Sequence, residues 1–281
     1  MASAAAILLA SAFLHASWNA LLKRERNPEV AVAGVLVAAL AVALAAAATA
    51  AAPRFASGPA IAWGVAAGAF EGLYFVTLAA ALARAPYGAV YAIARGGAML
   101  VVWPAAALLL GEQVSPRAVS GAIVIGVGLA LVALSGGRRS RPGGITFAVI
   151  CAASIAGYHL CYDVALSAGA RESPLFALAL ATALPFLLVS LRVRGALATA
   201  AAPSRGAVLR WALAGVLCTA SFLLFLRGLA MSGAALALTL RNTSVLFAQA
   251  LAVVIGEPVG RRQLAGAMLV AAGAAIVSSA P

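Results

Sequence analysis

Apolar stretches about twenty residues long follow one another from one end of the chain to the other, parted only by short polar breaks. At about 1.5 Å per residue, a helix of that length crosses a hydrocarbon core about 30 Å thick. Barrel strands would instead read as segments of about ten residues alternating in polarity, and this sequence has no such pattern. The chain is therefore expected to be an all-α polytopic membrane protein. Its composition agrees: 65% of the 281 residues are hydrophobic and only 9% are charged, with a mean hydropathy of +1.08. That is too little charge to cover a water-exposed surface.

The net charge of +12 does not argue for nucleic acid as a partner. The basic residues stand in short clusters between apolar runs, in "LLKRER", "GGRRSR", "LRVRG" and "GRRQ". This is the pattern that orients a membrane protein, with membrane lipid as its surroundings. Cys151, Cys161 and Cys218 lie in apolar runs without metal-ligand spacing, and read as small packing residues. The first apolar run lacks a basic leader and carries Lys23 and Arg24 on its far side, so it reads as a retained helix.

Turn formers and charges divide the chain into ten expected transmembrane helices, at residues 3–22, 30–51, 59–83, 88–110, 116–135, 145–166, 174–191, 207–229, 233–255 and 262–279. The weakest break is "RGLAMSG" at 227–233, and the longest polar connection is "SGGRRSRPGG" at 135–144. The sequences on the two sides of that connection resemble each other. Arg95 aligns with Arg241, Glu112 with Glu257, Arg117 with Arg262, Gly121 with Gly266 and Gly128 with Gly273, at a shift of 145 or 146 residues. "HASWN" at 15–19 aligns with "HLCYD" at 159–163 at a shift of 144. The expected organisation is a first five-helix repeat over 1–136, a linker over 137–144 and a second repeat over 145–281. An odd number of helices per unit inverts the second copy, and inverted repeats are a transporter architecture. The charges invert as well. Lys23, Arg24 and Arg26 follow helix 1, against Arg171 after helix 6, while Arg54 follows helix 2, against Arg192, Arg194, Arg205 and Arg210 after helix 7. Taken alone, this count puts the loops after helices 1, 5 and 7 in the cytoplasm and both termini outside.

Charged side chains inside these helices mark the candidate site. An arginine at a helix centre costs about 2.5–3.5 kcal/mol to insert, so Arg95 and Arg241 need compensation. They either line a cavity that takes an anionic substrate group, for which the guanidinium fork is suited, or reach a helix end or a glutamate. Asn242, Thr243 and Ser244 add polarity beside Arg241. Glu71, with Tyr74 one turn on, is expected either to pair with Arg95 or to couple transport to protons. His15, Trp18 and Asn19 share one face of helix 1, and His159, Tyr162 and Asp163 the matching face of helix 6, with Tyr158 adjacent. These faces suit opposite walls of a pocket or plain interhelical hydrogen bonding. Tyr91 stands one turn before Arg95, and Asp163 is a second coupling candidate. Trp103 reads as packing or lipid-facing. Glu112 and Glu257 read as caps or as partners of Arg117 and Arg262 at the membrane surface. The glycines and alanines of helices 5 and 10 read as close helix contacts, with dimerisation a lesser alternative to a monomer.

"HASWNALLKR", "YAIARG" and "LRNTSVLFAQALAVVIGE", in this order on a duplicated layout, resemble the EamA-type branch of the drug/metabolite transporter superfamily. The resemblance covers nearly the whole chain, with a looser likeness to a subgroup associated with phosphonate utilisation. It implies a ten-helix carrier of small metabolites in a bacterial inner membrane, exporting or exchanging amino acids and related compounds. It also implies cytoplasmic termini, opposite to the charge count.

The function expected is secondary transport by alternating access of small solutes, amino-acid-like, zwitterionic or anionic, with aminophosphonates among them. No phosphate-binding loop, cofactor motif or metal cluster is present in the sequence. A channel would favour a continuous polar stripe where this chain has clusters. A membrane enzyme would need a nucleophile and base, for which only the His159–Asp163 spacing leaves room, and no catalytic residue is assigned.

Overall fold

The computed structural model describes residues 2–23, 25, 27–82, 84, 87–113, 115–134, 142–197, 202–254 and 260–279. They form helices α1 (Ala2–Lys23), α2 (Pro28–Ala48), α3 (Gly58–Leu82), α4 (Tyr87–Leu109), α5 (Pro116–Leu134), α6 (Gly144–Ser167), α7 (Glu172–Val193), α8 (Arg205–Ser232), α9 (Ala234–Arg241), α10 (Ser244–Val254) and α11 (Arg261–Ser278). Most of the expected linker lies outside the described residues. Among the described residues six helices are each long and apolar enough to cross a membrane, and shorter apolar helices span Ile93–Leu109, Pro116–Val132 and Ala234–Ala248. The chain is an all-helical, multi-pass membrane protein.

Local chemistry sets the helix ends. Asn27 accepts a hydrogen bond from the Val30 amide with Pro28 in the first turn of α2, and Ser204 does the same for Ala207 at α8. Gly233 ends α8 at φ +78°, a left-handed conformation that favours glycine. The one helix expected over 233–255 is broken in two. The Asn242 amide reaches both Leu238 and Thr239, and the Thr243 amide and hydroxyl both turn back to Leu240, at 3.1 and 2.6 Å. Short polar side chains that compete for backbone groups favour such a turn, and three follow Arg241 in a row.

The helices bury their polar residues and turn leucines and valines outward. Leu100, Leu108 and Val193 are about four-fifths exposed on the outer surface. Leu8, Leu36, Leu129, Ile155, Phe176 and Phe225 are fully buried. Packing is reciprocal between the halves: α3 lies against α6 and α7, as α8 lies against α1 and α2, while α5 packs on α11. On that last pair a Cβ added to Gly128 would stand 2.6 Å from the Gly266 carbonyl oxygen, and one on Gly266 would stand 2.6 Å from that of Gly128. Gly121 and Gly273 meet likewise. The glycine series is a close helix contact within the chain, as its spacing led us to expect. The three cysteines are free and buried.

Both ends of the bundle are tied. At the end where α2 runs into α3, the Arg171 amide donates to the Arg54 carbonyl and the Ala56 amide to that of Gly169, each at 3.0 Å, while the Ser57 hydroxyl bonds the Ala168 carbonyl at 2.8 Å. At the opposite end of α2, Glu25 accepts a 2.6 Å bond from Arg210, which holds its carboxyl below the usual carboxylate range.

Candidate functional site

Polar side chains on α1 set the floor of a buried cluster. Ser11, His15 and Trp18 lie on one face, at the spacings that align residues along a helix. The Ser11 hydroxyl donates to the Ser221 carbonyl at 2.7 Å and the Ser221 hydroxyl to that of Ser11 at 3.0 Å, which fixes α1 against α8. His15 then stands between the two arginines. Its Nε2 is 2.6 Å from an Arg95 Nη2 on α4, and its Nδ1 is 3.3 Å from Nη2 of Arg241 at the end of α9. The indole N–H of Trp18 points at the same Nδ1, also at 3.3 Å. The Asn242 amide donates to the Arg95 carbonyl at 3.4 Å, joining the helix break to α4.

Arg241 is held on more sides than its polar neighbours supply. It donates to the Ser11 hydroxyl at 3.0 Å, and its guanidinium carbon lies 4.4 and 4.3 Å from the ring centroids of Phe222 and Phe225. Two aromatic faces attract a desolvated cation through their quadrupoles. Its Nε has no hydrogen-bond partner. Arg95 and Arg241 are 3% and 0% exposed, so neither reaches out to the surface of the bundle.

The opposite wall comes from α6 and α3. The His159 ring stacks on Tyr158 at 4.4 Å and meets the Phe225 edge at 4.8 Å. Its Nδ1 is 2.7 Å from the Ile155 carbonyl, a contact that places the proton on Nδ1 and leaves Nε2 as an acceptor without a partner. Tyr158 also touches the rings of Tyr74 and Tyr162, each at 5.9 Å. Glu71 is 1% exposed, and neither of its oxygens has a hydrogen-bond partner. The Tyr162 hydroxyl is its polar neighbour, and the cation sharing its field is Arg241. Among the described residues Glu71 makes no ion pair, so the expected pair with Arg95 is not formed.

The structure thus brings together His15, Trp18, Glu71, Tyr74, Arg95, Tyr158, His159, Tyr162, Arg241 and Asn242. Donors cluster around the guanidinium groups, while Glu71, Nε2 of His159, Oδ1 of Asn242 and the Tyr162 hydroxyl are acceptors without a hydrogen-bond partner among the described residues. Such a cluster sets hydrogen-bond donors and acceptors side by side away from solvent. Asn19 is not part of it: its amide donates to its own helix at the His15 carbonyl, 2.7 Å away. Asp163 is half-buried, and the charge that bears on it is that of Glu112. The Tyr91 side chain lies outside the described residues.

Ser11, Phe222 and Phe225 were not foreseen. Ser11 was within reach of the periodicity, one turn before His15, and the two phenylalanines stand three apart in "SFLLFLRG". Glu112 was expected to cap a helix or pair with a surface arginine. It caps α9 from the end of α4, its oxygens accepting the Ala234 and Ala235 amides at 2.5 and 3.2 Å. A carboxylate there complements the helix dipole. Arg117 turns instead to the Ser279 carbonyl. Glu257 lies outside the described residues. Trp103 packs α4 against α9 and donates to the Thr239 hydroxyl at 2.9 Å.

No curated protein matches the sequence. Among solved structures, 29 chains match the fold. One of them, described only as "Crystal structure of protein", is 20% identical, with a TM-score of 0.79 over 99% of this chain and 98% of that one. At that identity the likeness speaks for the fold alone. Residues 142–279 match the EamA-like transporter family. The second half of the chain thus matches an EamA-like transporter domain, consistent with the superfamily that the sequence motifs resembled.

Proposed function

We propose that the protein is a secondary carrier in a bacterial inner membrane. It exports or exchanges small solutes bearing an anionic group, amino-acid-like, zwitterionic or anionic, with aminophosphonates among them. In this reading the chain makes ten membrane crossings as two inverted five-helix repeats, residues 1–136 and 145–281, that open alternately. The observation that carries it is the meeting of Arg95 and Arg241, equivalent positions of the two halves, on the single imidazole of His15 in a cluster closed to solvent.

Two further features support it. A broken helix beside a buried charge is how carriers expose polar groups at the membrane midplane, and the break at Asn242–Thr243 directly follows Arg241. The ties at the two ends differ, hydrogen-bonded loops at one and the Glu25–Arg210 pair at the other, so the ends can open separately. A channel would need a polar path to both surfaces, whereas the buried charged residues among those described, Glu71, Arg95 and Arg241, belong to one cluster.

Counterflow in proteoliposomes tests the reading, with labelled L-serine and 2-aminoethylphosphonate, each holding an oxyanion and an ammonium group. Saturable uptake driven by unlabelled solute inside is expected for at least one probe. Unsaturable flux, or none for either, contradicts it.

A further inference from the structure

The geometry points to His15 as a placeholder. We propose that its imidazole occupies, in the unloaded carrier, the position between Arg95 and Arg241 that a substrate oxyanion takes in the loaded one, and so lets the unloaded carrier return across the membrane. The inference rests on the carrier reading above.

Three N–H donors converge on two ring nitrogens: Nη2 of Arg95 on Nε2, and Nη2 of Arg241 and the Trp18 indole on Nδ1. A neutral imidazole has one acceptor nitrogen and one N–H, and a protonated one has no acceptor. Whichever tautomer is present, a lone pair faces one arginine and an N–H faces the other. The ring can therefore relieve one half of the protein at a time. An oxyanion with two or three oxygens offers lone pairs to both guanidinium groups at once and carries the opposing charge. It is the better occupant of the same place, so substrate displaces the ring.

The same geometry says why an occupant is needed. Alternating access brings the two halves through a state in which both arginines are buried, as they are here. Like charges brought together away from water repel strongly, and a buried charge without compensation is costly. Substrate supplies the compensation during loaded transit. In unloaded transit the imidazole lone pair supplies part of it, from a ring held edge-on by Trp18 at 5.3 Å and flanked by Phe222 at 6.4 Å. Loaded and unloaded transit should thus depend differently on His15.

Two variants separate these roles. His15→Phe keeps an aromatic ring and removes the lone pair, while His15→Gln keeps an acceptor oxygen. Net efflux from preloaded proteoliposomes requires unloaded return, whereas counterflow does not. With 2-aminoethylphosphonate and L-serine as probes, H15F is expected to lose at least about tenfold more in net efflux than in counterflow, the size of one hydrogen bond to a charged group. H15Q should keep the wild-type ratio of net efflux to counterflow, whatever its absolute rates. If H15F loses efflux and counterflow in equal measure, or neither, or if H15Q behaves as H15F does, the placeholder role is overturned. Wild-type protein that exchanges neither probe instead contradicts the carrier reading itself.

Discussion

The guanidinium of Arg241 lies 4.3 Å from the ring of Phe225, with Phe222 at 4.4 Å as the second aromatic contact. This fully buried cation is thus held largely by rings, with the Ser11 hydroxyl accepting a directional bond and His15 standing beside it. Among the described residues no carboxylate forms an ion pair with it, although Glu71 shares its field.

Phe225→Leu retains most of the apolar volume and removes the ring quadrupole. The half-saturation concentration for counterflow should rise by about 3- to 10-fold, equal to about 0.7–1.4 kcal/mol of cation–π attraction. A concentration series at fixed internal solute reads this directly. An unchanged value would show that the ring acts by shape alone.

Gly128 and Gly126 stand two residues apart on α5 and predict opposite outcomes for one substitution. A Cβ at Gly128 meets the Gly266 carbonyl oxygen at 2.6 Å, while one at Gly126 meets nothing within 4 Å. Gly128→Ala forces α5 and α11 apart and should lower the melting temperature in detergent, at a cost of about 1–3 kcal/mol. Gly126→Ala should leave it unchanged or raise it, since glycine inside a helix is less favourable than alanine by about 0.5–1 kcal/mol.

The Glu25–Arg210 pair gives stability a pH dependence of fixed sign. The bond from Arg210 depresses the carboxyl's pKa from its ordinary 4.5. Its contribution is therefore full above that value and is lost as pH falls through the lower folded one. Thermal melting of wild type and Glu25→Gln should differ at neutral pH and converge below pH 4.5. A gap that persists unchanged into acid would assign the difference to something other than this ion pair.

Much of the fold could be read from the sequence, because length and apolarity alone identify a helix that crosses lipid. The aligned Arg95 and Arg241 are both buried and both stand against His15. Periodicity placed His15 and Trp18 on one face, and they do share it. It could not say that Asn19, on the same face by spacing, would bond its own helix instead. Spacing fixes a direction on one helix and carries no information about the partner across the bundle. For that reason the Phe222 and Phe225 clamp, the cap of Glu112 on α9 and the orientation of Glu71 toward Tyr162 were all hidden. The break after Arg241 was written in "NTS", three residues whose side chains compete with a helix, but a mostly apolar run concealed it.

The central claim is that Arg95 and Arg241, from opposite halves, jointly receive the oxyanion of a substrate. Its most direct test is counterflow of labelled 2-aminoethylphosphonate and L-serine by Arg95→Gln and Arg241→Gln, with ethanolamine, which lacks the oxyanion, as competitor. Each variant should lose at least about 30-fold in kcat/KM, the scale of about 2 kcal/mol for truncating a buried charge contact, and ethanolamine should fail to compete in wild type. Two well-folded variants exchanging at wild-type rates, or ethanolamine competing as well as the probe itself, would contradict it.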